Sequence, residues 1–421
     1  MTLDNIYKHF LSCDAVCTDT RKITKNCIFF ALKGANFNGN TFAKQALEAG
    51  AAYVIIDEKE YKLSSQFILV DDVLSTLQSL ASLHRKTLNI PIIALTGSNG
   101  KTTTKELINA VLSKTYNTSA TKGNFNNHIG VPLTLLEMTK ATEIGIVEMG
   151  ANHQKEIESL SQIALPDYGL ITNFGKAHLE GFGSIEGVIK GKSELYDFLK
   201  ANQKTIFINQ NDDTQIKQAG TYKNSVLFGS QTQLLNAQPY ISIAYKNNTI
   251  KTHLTGTYNY NNVAVAIAIG EHFNVPTQAI IEAIENYIPN NNRSQIVEKN
   301  GHQIILDAYN ANPTSMHAAL SNFNQLINQN KMVILGDMFE LGSEAGIEHQ
   351  HIADFVQTLS LEDAILVGEN FYNTKTKHDG ISYFKSFEDL KHNFKQLKLD
   401  HHLILIKGSR GMALERVLEL L

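Results

Sequence analysis

The sequence predicts an α/β protein of three domains: a small N-terminal α/β domain, a central domain built on a mainly parallel sheet with a phosphate loop, and a C-terminal Rossmann-like domain. Three observations predict it. Short apolar runs alternate with amphipathic, helix-length segments along nearly the whole chain, and that alternation builds parallel sheets. The length of 421 residues fills two or three domains, at about 100–200 residues each. The run Thr96-Gly97-Ser98-Asn99-Gly100-Lys101-Thr102-Thr103-Thr104 stands between an apolar strand run at 90–95 and a segment of helical spacing at 106–112.

The elements follow in order. Residues 1–88 hold strand candidates at 27–31, 53–57 and 67–70 and helical stretches at 41–49 and 74–88. Asn89-Ile90-Pro91 reads as a linker and strand start, since proline tolerates a first strand position. Residues 89–298 alternate again, with strands at 144–147, 168–172 and 205–209, a helix at 185–199, and a hairpin of 241–245 and 249–254 around Lys246-Asn247-Asn248. Residues 299–421 predict strands at 303–307, 332–335, 364–367 and 403–406 and helices at 315–327, 348–359, 387–397 and 412–420. No G-x-G-x-x-G fingerprint accompanies this last set, so a dinucleotide is not expected there.

Composition excludes several classes. Apolar residues make up 43 %, enough for sizeable cores, and the net charge of −4 gives no global attraction to nucleic acid. No apolar stretch is long enough for a membrane span. The start, MTLDNIYKHF, lacks a basic region followed by an apolar core, so no secretory leader is expected. Cys13, Cys17 and Cys27 are an odd number with no partner pair to complete a zinc site. They read as reduced thiols of a cytoplasmic protein.

The glycine-rich turn carries the chemistry. Glycines let backbone N–H groups approach phosphate oxygens, and the helix N-terminus adds positive character. Lys101 reaches terminal phosphates, and the Thr102 hydroxyl suits Mg²⁺. The common phosphate loop has a further glycine where this chain has Leu95, so this is the shorter G-x-x-G-K-T form. Thr102, Glu148 and His178 all follow strand ends, where ligands of parallel sheets bind. A nucleoside triphosphate held in such a loop can pass on its terminal phosphoryl group. Such phosphoryl transfer rests on positioning and on screening negative charge.

Longer segments narrow the reading. They are Glu148-Met149-Gly150-Ala151-Asn152, the polar loops at 123–132 and 175–183, Lys190-Gly191-Lys192-Ser193-Glu194, Asp307-Ala308-Tyr309-Asn310-Ala311-Asn312-Pro313-Thr314-Ser315-Met316 and Gly336-Asp337-Met338-Phe339-Glu340-Leu341-Gly342. With the phosphate loop they resemble the Mur ligases of bacterial cell-wall synthesis, over nearly the whole chain. The last two runs resemble the branch of that family that adds a D-alanyl-D-alanine dipeptide.

The resemblance implies a UDP-sugar domain at 1–88, an ATP domain at 89–298 and a mobile domain for the incoming dipeptide at 299–421. The substrates it implies are ATP, a UDP-N-acetylmuramoyl-tripeptide and D-alanyl-D-alanine, with Mg²⁺ as cofactor, no nucleic acid and a monomeric enzyme. It places ATP on Gly97, Ser98, Asn99, Gly100, Lys101, Thr102 and Thr103, with Asn262 at the adenine, Arg293 at a phosphate and Asp307 near the ribose at the hinge. The implied metal set is Thr102, Glu148, His178 and Lys192, the lysine carried as a carbamate. The implied catalytic set is Lys101, Lys192, His178 and Arg293. Thr18, Asp19, Thr20 and Arg21 match the uridine end, as do Lys33 and Gly34. Asn124, Asn126 and Asn127 count as further substrate contacts. Asn310, Asn312, Ser315, Lys407 and Ser409 fall on the dipeptide side. Phe37-Asn38-Gly39-Asn40 stands where the family usually has Phe-Asp-Gly-His, so no catalytic role passes to Asn38 or Asn40.

Plainer readings exist for single residues. Lys192 alone reads as a solvated helix lysine, Arg293 as a surface charge, and Tyr309 and Met316 as packing. Two other functions fit the phosphate loop: a sister ligase, either tripeptide-forming or a folylpolyglutamate synthase, and a nucleotide-driven switch serving a protein partner. The segments at 307–316 and 336–342 argue against the sisters, and the two extra domains argue against the switch.

Overall fold

The computed structural model describes residues 2–327, 330–394 and 403–421. Three mainly parallel sheets succeed one another. The N-terminal sheet has four parallel strands in the order Ala15–Cys17, Cys27–Phe30, Tyr53–Ile56, Phe67–Leu69. Its helix Val73–Leu88 starts where Asp72 accepts the Ser75 N–H at 2.6 Å, satisfying a donor that the helix itself leaves free. The apolar stripe of that helix joins two units in one core: Leu77 and Leu80 pack in a cluster with Val131, Leu135 and Leu160. Arg85 pins the same seam, donating to Asp167 at 2.6 Å and to Ala164 O at 3.2 Å.

The central sheet has six parallel strands, in the order Ser225–Phe228, Thr205–Asn209, Tyr168–Ile171, Ile92–Thr96, Ile144–Glu148, Thr118–Ala120. Its middle strands are buried on both faces, which is why they read as unbroken apolar runs. The chain runs first to one side of Ile92–Thr96 and then returns to the other. That reversal opens a crevice at the carboxyl end of this strand. A three-stranded antiparallel ribbon (Thr232–Asn236, Ser242–Tyr245, Asn248–Lys251) shares a second core with the helices Lys101–Leu112, Asn259–His272 and Thr277–Glu285.

The C-terminal sheet runs Gln295–Lys299, His302–Asp307, Leu403–Lys407, Lys331–Gly336, Asp363–Val367, Ile381–Phe384, parallel except for the first pair. Among the described residues no helix is long and apolar enough to cross a membrane.

Some expected elements differ. The segment at 412–420 is not an α-helix but two 3₁₀ turns, Arg410–Met412 and Leu414–Glu419. Ala413 between them is left-handed at φ 47°, which interrupts helical hydrogen bonding. The helix expected at 387–397 is Phe387–Asn393, and 395–397 lie outside the described residues. The strands Ala15–Cys17, Thr118–Ala120, Ser225–Phe228 and Ile381–Phe384 had no expectation. All four are edge strands, short and partly solvated, so their apolar pattern is weak.

Candidate active site

Three strand ends meet at the crevice: the phosphate loop after Ile92–Thr96, Glu148 closing Ile144–Glu148, and Thr172 and Asn173 after Tyr168–Ile171. Gly97 has φ +143°, and a Cβ there would lie 2.0 Å from Thr172 Oγ1. Gly100 has φ +78°, and its Cβ would lie 2.7 Å from Asn262 Oδ1. Both positions exclude a side chain on conformation and on space. Asn99 is held from behind: its N–H donates to Asn173 Oδ1 at 3.1 Å, and its carbonyl accepts from the Thr172 hydroxyl at 2.6 Å. The helix Lys101–Leu112 starts directly on this loop, so its unpaired N–H groups stand where an anion would sit.

A cavity of about 1250 Å³ opens here. Ser98, Asn99, Gly100, Lys101, Thr102 and Thr103 form one wall, and Gly97 lies behind it against Thr172. Asn124, Asn126, Asn127, Glu148 and His178 border a second side. Asn262, Arg293, Asp307, Asn310, Asn312, Ser315 and Lys407 border the rest. Segments far apart in sequence thus face one space.

The polar contacts are specific. Lys101 Nζ folds back on its own loop, donating to Gly97 O at 2.7 Å and Ser98 O at 3.3 Å. Burial in the cleft lowers its ammonium below the ordinary lysine range; Glu148 works against this and Arg293 works with it. The Thr102 hydroxyl donates to Glu148 Oε2 at 2.9 Å, and Asn126 Nδ2 donates to Glu148 Oε1 at 2.8 Å. This pair of hard oxygen donors beside the phosphate loop fits Mg²⁺, which takes few protein ligands and completes its shell with water and phosphate oxygens.

The other two implied metal ligands are placed differently. The ring Nδ1 of His178 is bonded to the Glu340 carboxylate of the C-terminal unit. Lys192 is fully buried on the helix Ile185–Ala201, its Nζ donating to Ala151 O at 2.9 Å and standing 5.0 Å from the Phe182 ring centroid. The plain reading of Lys192 as a solvated helix lysine therefore fails. Burial first, and Lys101 second, push it well below the ordinary lysine range, while Glu156 and Glu194 pull the other way. Among the described residues no group of three or more His, Cys, Asp or Glu side chains forms a ready metal cage.

The C-terminal wall is equally ordered. Arg293 lies with its guanidinium carbon 4.0 Å from the Tyr309 ring centroid, and its buried Nε has no partner among the described residues. Tyr309 borders the cavity, so it does more than pack, whereas Met316 is fully buried in the core as expected. Asp307 accepts the Ser294 N–H at 3.1 Å and the Lys407 ammonium at 2.5 Å; Lys407 also donates to Asn310 O at 3.2 Å. Asn312 and Ser315 cap the helix Pro313–Gln325 reciprocally, and Asn312 Nδ2 donates across to Asn99 Oδ1 at 2.7 Å. Ser409 does not border the cavity; its Oγ accepts the Phe339 N–H at 2.8 Å. Asn262 sits under the loop, accepting from Thr104 at 3.0 Å and donating to Asn259 at 2.8 Å.

Comparison with known proteins decides the family. Three family models match in succession: the Mur ligase family catalytic domain at residues 13–85, the Mur ligase middle domain at 95–270, and the Mur ligase glutamate ligase domain at 292–410. The chain is 36 % identical over 96 % of its length to UDP-N-acetylmuramoyl-tripeptide–D-alanyl-D-alanine ligase of Bacillus subtilis, covering 92 % of that protein. This chain belongs to the Mur ligase family. The Escherichia coli ligase of the same name is 32 % identical, with 98 % of this Mur ligase and 94 % of that protein aligned. Among solved structures, MurF of Acinetobacter baumannii superposes with a TM-score of 0.87 at 28 % identity, covering 99 % of this chain and 97 % of that one. The MurF ligase of Thermotoga maritima, solved in complex with ADP, gives 0.85 at 25 % identity, covering 98 % and 97 %.

In this Mur ligase the implied uridine residues lie apart from the central cavity. Thr18 and Asp19 border a second cavity of about 1680 Å³ at the seam of the N-terminal and central units. Asp19 caps the turn Thr20–Lys22 and pairs with exposed Arg21, which holds its carboxyl down at about 2. Lys33 and Gly34 form a two-residue ribbon strand paired with Phe37–Asn38, and Lys33 Nζ lies 3.0 Å from Asp57. The two departures from the family pattern form one network. Asn40 Nδ2 donates to Asn38 Oδ1 at 3.0 Å and to Asp57 at 2.8 Å, and Asn38 Nδ2 donates to Glu58 at 3.1 Å. Asn127 likewise has a backbone task, accepting the Gly130 N–H at 2.9 Å.

Sequence reasoning missed more than one segment, Gln154, Lys155, Glu156 and Ser159 among the missed residues that border the cavity. Asn209, Asn211, Asp212, Asp213 and Thr214 border the cavity just after the strand Thr205–Asn209. The signal was available: a polar run at the carboxyl end of a parallel strand, the same rule that located Glu148.

Proposed function

We propose that this chain is the ATP-dependent ligase that joins D-alanyl-D-alanine to UDP-N-acetylmuramoyl-tripeptide in peptidoglycan precursor synthesis, through an acyl phosphate. The observation that carries the reading is one cavity with the phosphate loop on one wall and the Asp307–Ser315 segment on the other. Residues 1–88, 89–298 and 299–421 are read as UDP-sugar, ATP and dipeptide domains, with the strand Gln295–Lys299 carrying the chain across into the C-terminal sheet. The ligase is read as acting as a monomer.

The steps follow from the residues. The tripeptide carboxylate oxygen attacks the γ-phosphorus, the bond to the bridging oxygen breaks, and ADP leaves. Lys101 exchanges its two loop carbonyls for phosphate oxygens. The unpaired Arg293 Nε gains a partner on the same charge. Both place a fixed positive charge where negative charge gathers on the transferring group. Thr102 and Glu148 would hold Mg²⁺, which supplies further neutralisation of the phosphate oxygens. The dipeptide amine then attacks the acyl carbon, the acyl C–O bond breaks, and phosphate departs as the amine loses a proton.

Lys192 is read as a carbamate. A buried lysine kept neutral is nucleophilic. Its nitrogen attacks carbon dioxide, an N–C bond forms and one proton leaves, so a neutral amine becomes an anion within the field of Lys101. Burial of Lys192 and its coupling to Lys101 support this.

A phosphate-release assay tests the function. Release is expected only when ATP, the nucleotide sugar-peptide and D-alanyl-D-alanine are all present, with the UDP-muramoyl pentapeptide as product by mass spectrometry. Release with ATP alone points to the switch, and equal use of single amino acids points to a sister ligase.

A further inference from the structure

One loop of the central unit, residues 175–180, is gripped by three parts of the C-terminal unit. Thr314 Oγ1 accepts the Lys176 N–H at 2.9 Å, and Glu348 accepts the Lys176 ammonium at 2.7 Å. Glu340 bonds His178 Nδ1 through its carboxylate, and its backbone carbonyl accepts the Glu180 N–H at 3.2 Å. His178 and Glu340 are both left-handed, at φ 54° and 61°, and neither is glycine. Such residues persist only where the surroundings over-determine them, and they cluster where geometry is functional. Here two of them face each other across a unit boundary.

Glu340 stands on a rigid base. Asp337 accepts the N–H groups of Asn370 at 2.9 Å and Phe371 at 3.0 Å. His349 Nε2 accepts the Met338 N–H at 2.9 Å, and Ser409 anchors Phe339. A neutral imidazole carries one N–H. A carboxylate on Nδ1 draws the proton to that nitrogen and leaves a lone pair on Nε2. His178 borders the cavity. Carboxylates that hold the far nitrogen of a working histidine set both its tautomer and its orientation.

We propose that Glu340 is a positioning residue that reaches from the C-terminal unit to fix the His178 ring with Nδ1 protonated and Nε2 free. The ring is then set for the reaction only while the C-terminal unit is seated on the central one. The catalytic consequence rests on the ligase reading; the tautomer does not.

The test uses ligand-free protein labelled with ¹⁵N-histidine, at pH 8, above the ordinary histidine value of about 6.5. Long-range ¹H–¹⁵N spectra report the tautomer, with the His178 signal assigned from a His178→Gln variant. The Nδ1–H form is expected in wild type. It is lost in Glu340→Ala and kept in Glu340→Gln, whose amide oxygen still accepts. It is also kept in Glu348→Ala, which cuts a different contact across the same boundary. Scattering should give one radius of gyration for wild type and Glu340→Ala, separating tautomer loss from unseating. In the assay, Glu340→Ala should lower kcat by about 10–100-fold with little change in KM for ATP, and Glu340→Gln should restore most of it. An Nε2–H tautomer in wild type, or an Nδ1–H tautomer in Glu340→Ala, overturns the proposal. Absent phosphate release in wild type would instead count against the ligase reading and leave the tautomer result standing.

Discussion

Lys101→Ala is expected to lower kcat for phosphate release by about 10³-fold or more while the protein stays folded. Among the described residues the ammonium bonds only two carbonyls of its own loop, Gly97 O and Ser98 O. Those contacts fill the place of phosphate oxygens, so losing them costs the resting fold little. What is lost is a fixed positive charge beside the transferring group, on an amine that its surroundings already hold below the ordinary lysine range. Lys101→Arg should not restore the rate, since a planar fork does not replace a point charge in so narrow a loop. Steady-state phosphate release with a thermal melt decides this. A kcat within tenfold of wild type would remove Lys101 from the chemistry.

Lys192→Ala is expected to reduce kcat by about 10²–10³-fold, the range seen when one stabilising group is removed. Formate or acetate should partly restore the rate by standing in for the carbamate oxygens. An unmodified lysine here would put a second cation next to Lys101 in a buried site, and the neutral amine avoids that charge only by giving up any electrostatic use. A carbamate would resolve this by making the side chain an anion. Intact-mass measurement under carbon dioxide with chemical trapping adds a readout independent of turnover. Full activity in Lys192→Ala removes the role altogether. Loss of activity that no carboxylate rescues leaves a buried structural lysine and rejects the carbamate.

The parts of this site that were legible in the sequence are the local ones. Residues 96–104 carry their own geometry, because strand, glycine turn and helix are contiguous, and Glu148 follows from the rule about strand ends. Lys192 was legible only through resemblance, since its helix spacing alone suggests a solvated face and only tertiary packing buries it. The Glu340–His178 contact spans 162 positions and depends on how two units meet. Tyr309 was read as packing because nothing near it in sequence announces that Arg293 will lie on its ring. Asn38 and Asn40 departed from the family pattern, and their partners Asp57 and Glu58 come from the end of another strand, so their network was invisible until the fold was known. In the fold, buried central strands were readable and most half-solvated edge strands were not, because only the former must be apolar throughout; the edge strand Asn248–Lys251 was readable through its hairpin turn.

The central claim is that the tripeptide carboxylate becomes an acyl phosphate before the amide forms. Labelling both oxygens of that carboxylate with ¹⁸O and analysing the released phosphate by mass spectrometry tests it directly. The account requires one ¹⁸O atom in each phosphate released, because the oxygen that attacks phosphorus leaves with it when the amine displaces it from carbon. Unlabelled phosphate, with amide formed at the normal rate, would contradict the account.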